Sequence, residues 1–320
     1  MNRILIFATV ALATIGNALG YGNAGHEAIG TIAEHDLEGT RALKEVRSLL
    51  HQGEGLDRAS TWPDRAKLPD KYLTAEMKDF VANNPEHHTY HYCDIPFQQK
   101  AYREGVTGTN SRDIVHVLEL CIKVLQAPED DSQNPLKINK RVALMLTAHL
   151  VGDLHQPLHV GCSYIDEHDQ FVDPETGAKG QPDAGANYLR VKSRSGTALH
   201  GYWDTLTVKA ARDHLGVADF PAALVTANPA KPEWNAKGPV ATWPAQWATD
   251  TLGLAHLCFT GLTPHDRFLV PKDEKHEEHF EWIVTLPPTY ADQSRGTVEM
   301  ELSKAGHRLA ALLKAIWPEK

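Results

Sequence analysis

The run His149-Leu-Val-Gly-Asp153-Leu-His155-Gln-Pro-Leu-His159 constrains the fold more than any other stretch of this chain. His149 and Asp153 stand four residues apart, so on a helix their side chains project from one face about a turn from each other. Pro157 cannot continue that helix, and the break lets His159 turn back toward the same face. His200-Gly-Tyr-Trp-Asp204 repeats the i, i+4 histidine/aspartate arrangement in a second helical segment. Either pair alone reads equally as a surface ion pair or a capped helix end. Two pairs plus His159 supply the imidazole nitrogens and carboxylate oxygens that zinc takes in catalytic sites, and gathering them requires distant helices to meet. His155 points away from this face and reads as a residue behind the site or on the surface.

The chain has 320 residues, of which 18 are histidine, more imidazole than a fold needs. With 32 Lys+Arg against 41 Asp+Glu the formal charge is -9, which argues against a broad basic surface that holds nucleic acid through many Lys and Arg. Nucleic acid stays open as a substrate if something other than side-chain cations supplies the positive charge. Apolar residues at 42% and charged residues at 23% exclude a collagen-like or disordered chain. Two more histidines have suggestive neighbours. His26 lies five residues after Tyr21, within reach of an ion that a terminal amine at Tyr21 could share, and His91 opens His91-Tyr92-Cys93-Asp94-Ile95-Pro96. The other histidines lack a partner at ligand spacing and read as solvated or core residues.

Residues 1–20 read as a secretory signal peptide: Arg3 forms the basic end, Ile4 to Ile15 is apolar, and Ala18-Leu19-Gly20 puts small residues at the cleavage site before Tyr21. The apolar run is shorter than the ~20 residues of a spanning helix. The expectation is a secreted or periplasmic protein with Tyr21 as its free N-terminus and no membrane segment. Export favours disulfide pairing of Cys93, Cys121, Cys162 and Cys258, with three pairings open. Cys93 and Cys162, each near a singled-out histidine, also admit a zinc-thiolate role. Helical spacing of apolar residues recurs in Ala28 to Leu37, Ile114 to Leu125, Val142 to Leu154, Leu206 to His214 and Val298 to Ile316, while alternating runs are scarce. The expected fold is all-α, one compact domain over 21–320, with long connections at 157–196 and 228–244 where Pro and Gly cluster.

Several motifs in one order resemble the S1/P1 nuclease family, zinc-dependent single-strand-specific nucleases and 3′-nucleotidases, in the form seen in bacterial members. They are Tyr21-Gly22 with Gly25-His26, Ala59-Ser-Thr-Trp62-Pro-Asp64, His91-Tyr92 with Ile95-Pro96, the His149 to His159 run, Asp183-Ala-Gly185-Ala-Asn187, and Leu199-His200 with Trp203-Asp204-Thr205. Ala305-Gly306-His307-Arg308-Leu309-Ala310 in the last helix adds to them. The resemblance implies a helical fold of the zinc-dependent phospholipase C/P1 nuclease type with three Zn²⁺ in a cleft. One ion would take Asp64, His91, His149 and Asp153. The second would take His159, His200 and Asp204, and the third the amine and carbonyl of Tyr21 with His26 and a shared Asp153. Tyr21 stands where the family usually has Trp, and Ala186 where it more often has Gly.

The same resemblance implies catalytic roles for Asp64 and for Lys67, a basic residue set to contact phosphate, and substrate contacts from Tyr92, Asp94 and Asn187. Tyr92 would stack a base and Asp94 accept from its edge. The implied reaction is hydrolysis of single-stranded RNA and DNA to 5′-nucleotides, and of 3′-nucleotides, by a zinc-bridging hydroxide attacking phosphorus. Recessed metals favour a base that can swing free of a duplex. Three divalent ions against three aspartates leave positive charge at one point, which the composition otherwise lacks. No stable protein partner is implied. The acidic stretch with Asp166, Glu167, Asp169, Asp173 and Glu175 reads as a lid or rim loop that repels long polyanions. Two rivals share the ligand chemistry: a zinc-dependent phospholipase C acting on a lipid headgroup, and a zinc-storage protein.

Overall fold

In the computed structural model the described residues are 21–129, 133–192, 196–215, 218–273 and 277–319. The signal peptide read over 1–20 lies outside them. The helices are α1 (Gly22–Asp36), α2 (Arg41–Leu49), α3 (Leu56–Ala59), α4 (Trp62–Arg65), α5 (Ala75–Asn83), α6 (Ile114–Gln126) and α7 (Lys140–Leu154). They continue with α8 (Leu199–Gly201), which runs through a π-helical stretch Tyr202–Thr207 into α9 (Val208–Leu215), then α10 (Phe220–Ala227), α11 (Trp243–Phe259) and α12 (Tyr290–Ile316).

Local chemistry starts the central helices. The Asp113 carboxylate accepts from the amides of Val115 and His116 to open α6, and the Asn139 side chain accepts from the Val142 amide to open α7. Every residue of α7 from Val142 to Leu154 is buried, the mark of a helix packed on all sides. α6 packs on α7, and α12 lies along α1. That last crossing is close because Gly306 has no side chain: a Cβ there would sit 2.6 Å from Ile32 Cβ. The final helix stops at Ile316, ahead of Pro318, as Pro chemistry requires. Among the described residues no helix is long and apolar enough to cross a membrane.

The fold is mostly helical, but strands form in the long connection at 157–196 and outside it, more than the sequence suggests. The short strands β1 (Ile95–Pro96) and β2 (Gly161–Cys162) pair in parallel. β3 (Tyr164–Ile165), β4 (Phe171–Val172) and β5 (Gln181–Pro182) form an antiparallel sheet in the order β4-β3-β5. β6 (Leu189–Val191), β7 (Thr197–Ala198), β8 (His265–Val270) and β9 (His279–Val284) form another in the order β7-β6-β9-β8, with β6 and β9 parallel.

The acidic stretch is therefore not a loose flap. Asp169 accepts from Trp282 Nε1 at 2.8 Å and lies 3.5 Å from Arg267. Asp173 accepts from Gln99 Nε2 at 2.8 Å, and Glu175 accepts from the Thr107 amide at 3.0 Å. Most of its charge is spent on pinning a rim. The expected disulfides are also absent: Cys93, Cys121, Cys162 and Cys258 are all unpaired and buried. Their thiols are engaged in different places, Cys162 on Asp183 Oδ1 at 3.1 Å and Cys93 toward the Val160 carbonyl, and none joins a histidine cluster.

Candidate metal centre

Seven segments bring the histidines and aspartates to one place. α7 supplies His149 and Asp153, and between them Gly152 clears room for His26 of α1: a Cβ at 152 would lie 2.7 Å from His26 Nδ1. The His26 ring instead stacks on His149 with centroids 4.0 Å apart. Asp64 comes from α4 and His91 from the end of the 3₁₀ turn His87–His91. α7 ends at Leu154, and the 3₁₀ turn Pro157–His159 folds His159 back to the same region. His200 sits in α8 and Asp204 in the π-helical stretch, a distortion frequent at functional sites.

Asp153 is the hub. Its Oδ2 lies 2.8 Å from His91 Nδ1 and 2.9 Å from His149 Nε2, and its Oδ1 lies 3.2 Å from His26 Nε2. Asp64 Oδ1 approaches His149 Nε2 at 3.6 Å and His91 Nδ1 at 4.0 Å. His200 Nε2 is 3.2 Å from Asp204 Oδ2, with His159 Nε2 3.9 Å from Asp204 Oδ1. Three groups result, each with ligand atoms within 4.8 Å of one another: His26, His149 and Asp153; Asp64, His91 and His149; His159, His200 and Asp204. His159 Nδ1 lies 3.8 Å from Asp153 Oδ1, so the groups adjoin.

Hydrogen bonding tests whether these residues suit a metal. The Nδ1 of His149, His159 and His200 each meets a backbone carbonyl, of Ser60 at 2.6 Å, His91 at 2.7 Å and Gly185 at 2.7 Å. A carbonyl only accepts, so Nδ1 carries the proton and the Nε2 lone pair points inward. His26 Nδ1 and Nε2, Asp64 Oδ2, Asp153 Oδ1, His159 Nε2, His200 Nε2 and Asp204 Oδ2 are buried without any hydrogen-bond partner. Buried polar atoms are rarely left so, and a convergence of nitrogen and carboxylate donors is what divalent metal ions satisfy. The residues fit three such ions.

Electrostatics keep the carboxylates ionised. Lys67 Nζ lies 2.9 Å from Asp64 Oδ1. Burial works against the Asp64 charge, yet Lys67, His149 and His91 outweigh it and hold the carboxyl at about 2. Burial, with Lys67, pushes His91 down to about 3. Asp153 is held well below the usual carboxylate range, His149 and His159 overcoming the cost of burial. Ionised carboxylates beside a neutral His91 are the protonation state that metal ligation needs.

Tyr21 is wholly buried, caps α1 in a left-handed conformation, and donates its hydroxyl to the His155 carbonyl at 2.6 Å. His155 is a core residue rather than a surface one: Nδ1 donates to the Val151 carbonyl at 2.7 Å and Nε2 accepts from Arg308 at 3.1 Å. Arg308 also pairs with Asp250 of α11, and Glu301 pairs with Lys304 at 2.9 Å, so α12 carries buried charges, of which the sequence reading quoted only Arg308. Gln156 was missed too, and its Nε2 donates to Asp204 Oδ1 at 2.7 Å. Its place between His155 and Pro157 is the one available signal.

Tyr92 and Asp94 follow His91 directly and are half-buried, outside the three groups. Burial, then the Asp183 charge, raises Asp94 to about 7, and burial with Asp94 pushes Tyr92 up to about 12. Asn187 closes the turn after Asp183 by donating to the Ala184 carbonyl at 2.8 Å. In that turn Ala184, Gly185 and Ala186 all take positive φ, 54°, 60° and 66°. The alanines bear the strain, and Asp183 holds the turn by accepting from the Ala186 amide at 2.8 Å. The Gly185 carbonyl thereby reaches His200.

A sequence model of the S1/P1 nuclease family matches residues 21–318. Endonuclease 4 of Arabidopsis thaliana is 26% identical over 98% of this chain and 95% of its own length. Nuclease S1 of Aspergillus oryzae is 26% identical over 99% of this chain and 98% of its own, and endonuclease 5 of Arabidopsis thaliana is 25% identical over 100% and 98%. With its buried histidine and aspartate groups and a match over nearly its whole length, the chain belongs to the S1/P1 nuclease family.

Proposed function

We propose that this nuclease is an exported, zinc-dependent enzyme that hydrolyses single-stranded RNA and DNA to 5′-nucleotides and removes phosphate from 3′-nucleotides. The observation that carries the reading is the set of partnerless, buried imidazole nitrogens and carboxylate oxygens, with the opposite ring nitrogens of His159 and His200 pinned by backbone carbonyls. Asp64, His91, His149 and Asp153 would hold one Zn²⁺, His159, His200 and Asp204 a second, and His26 with Asp153 and the backbone of Tyr21 a third. Bound Zn²⁺ supplies Lewis-acid polarisation of a phosphoryl group and a nucleophile at neutral pH.

The protein's own groups position the substrate. Lys67, largely buried and paired with Asp64, presents a cation to a phosphate that displaces part of that pairing. Tyr92 offers a ring face to a base and Asp94 an acceptor at the base edge, while Asn187 steadies the turn that aims His200. The acidic surface, with positive charge concentrated at buried ions, suits an enzyme that cuts a polyanion and releases it. Burial of the ligands in helices also distinguishes them from the flexible tracts of a storage protein.

The test is a zinc count on the mature chain alongside product analysis. Three Zn²⁺ per chain, 5′-nucleotides from single-stranded substrates and abolition by EDTA are expected. A fully metallated protein that leaves these substrates intact and cleaves phosphatidylcholine sinks the reading.

A further inference from the structure

Tyr188 stands immediately after Asn187, at the threshold of β6, and no motif absorbs it. Its backbone is fixed at both ends, the amide donating to the Asp183 carbonyl at 3.0 Å and the carbonyl accepting from the Trp282 amide at 2.9 Å. Its ring stacks on His279 of β9 with centroids 4.0 Å apart and 22° between planes. The His279 side chain is only 9% exposed and Nδ1 meets the Glu277 carbonyl at 2.8 Å, so it is a firm backing. Tyr188 itself is half-buried, and its hydroxyl makes no hydrogen bond among the described residues. A ring braced on one face, with an unengaged polar tip and partial access to solvent, is not finished by its own fold.

Its neighbours tie it to the substrate side of the site. The Asp94 carbonyl accepts from the Tyr164 hydroxyl at 3.0 Å, and Tyr164 lies opposite Pro182 in the β3–β5 pair, next to the Asp183 whose carbonyl holds the Tyr188 amide. Gly185, whose carbonyl holds His200, is three residues away, a span of at most about 10 Å. One rigid turn therefore carries a metal-cluster histidine at one end and this ring at the other.

We propose that Tyr188, backed by His279, is a second base-stacking residue of the pocket that begins at Tyr92 and Asp94. The proposal rests on the nuclease reading above and adds a determinant to it. Stacking on an aromatic face is tolerant of base identity, so the residue contributes to grip on unpaired nucleotides rather than to choice among them.

The experiment uses the zinc-loaded mature protein, a single-stranded oligothymidylate and an abasic oligonucleotide of the same length. Tyr188→Ala and Tyr188→Leu, the latter keeping bulk on His279 without a π face, should raise KM for oligothymidylate by about tenfold, with kcat changing less. KM for the abasic strand should stay as it is. Tyr188→Phe should restore KM to within about twofold, since the face survives. His279→Ala should raise KM by a smaller factor and add nothing in the Tyr188→Ala background, because it acts through the ring. Equal losses on both strands, or no loss in a protein whose parent cleaves oligothymidylate, overturn the proposal. A parent that cleaves neither strand overturns the nuclease reading and takes the proposal with it.

Discussion

α7 and the hairpin β8–β9 flank the same functional region but hold their side chains by opposite means. On α7, His149 and Asp153 are fully buried, and the non-ligand nitrogen of His149 is bound to a backbone carbonyl. On the hairpin side, Tyr188 and the strands beneath it are fixed through the backbone while the ring keeps partial exposure. The first arrangement stores unsatisfied polar groups whose cost only a cation removes. The second buries no such unpartnered group among the described residues, so losing one contact there changes grip by degrees. Perturbing the two regions should thus give different kinds of failure.

The largest effect belongs to metal removal and to Asp153. EDTA should abolish activity and lower Tm by on the order of 10 °C, since the ligand atoms then remain buried without partners. Asp153→Asn keeps shape but removes the charge that His26, His91 and His149 share. Activity should fall at least about a thousandfold and zinc content by at least one ion. Full zinc content in Asp153→Asn would break the claim that the groups around Asp153 are built round a cation. Gly152→Ala comes next: its Cβ drives into His26 Nδ1, and three zinc ions per chain should become two, with the other groups still loaded. Metal analysis decides it, and loss of all three ions would show that the groups are one cooperative unit.

On the hairpin side the matching change is Asp169→Gly. Asp169 has φ 60°, which glycine adopts freely, so the substitution deletes the carboxylate that accepts from Trp282 Nε1 without straining the turn. The expected cost is about 1 kcal/mol of stability and a few-fold rise in KM for single strands, with zinc content unchanged. Loss of zinc would erase the distinction between the two regions.

That distinction also explains what the amino-acid order discloses. His149 with Asp153, Pro157 and the return of His159 are legible because helix geometry converts short spacing into proximity. The strands are another matter. β8 is exposed at Asp266, Arg267, Phe268 and Leu269 alike, so it lacks the in-and-out alternation by which a strand is recognised. Tyr188 meets His279 across a long separation that no local pattern encodes. α11 buries Trp247, Ala248, Thr251, Leu252, Ala255 and Cys258 at helical spacing, yet Pro244 and the Pro/Gly-rich approach make its start read as connection. The cysteines mislead differently: an even count in an exported chain suggests pairing, while core packing gives each thiol its own surroundings.

The smallest effect tests how far the rigid region extends. His26 and Asp36 both lie on α1, ten residues and about 15 Å apart along the helix, so the element that carries a cluster histidine is also tied at its far end. There His307 Nδ1 of α12 meets Asp36 Oδ2 at 2.5 Å. Burial alone would raise the Asp36 carboxyl, but the His307 hydrogen bond and charge hold it below its ordinary value of about 4. A carboxyl lowered in the folded state contributes stability above its unfolded value and loses that contribution as pH falls through the folded one. Asp36→Asn removes this contribution at every pH. The stability gap between parent and variant, from chemical denaturation at matched pH, should therefore be open at pH 6 and narrow below pH 4. Any bound zinc would also be released by acid, but that loss would be common to both proteins and cancel in the difference. Zinc content at neutral pH should be the same in both, since the tie lies about three turns from His26. A variant that loses zinc would mean that α1 transmits strain from its outer end to the cluster, and that the rigid region reaches the surface of the fold.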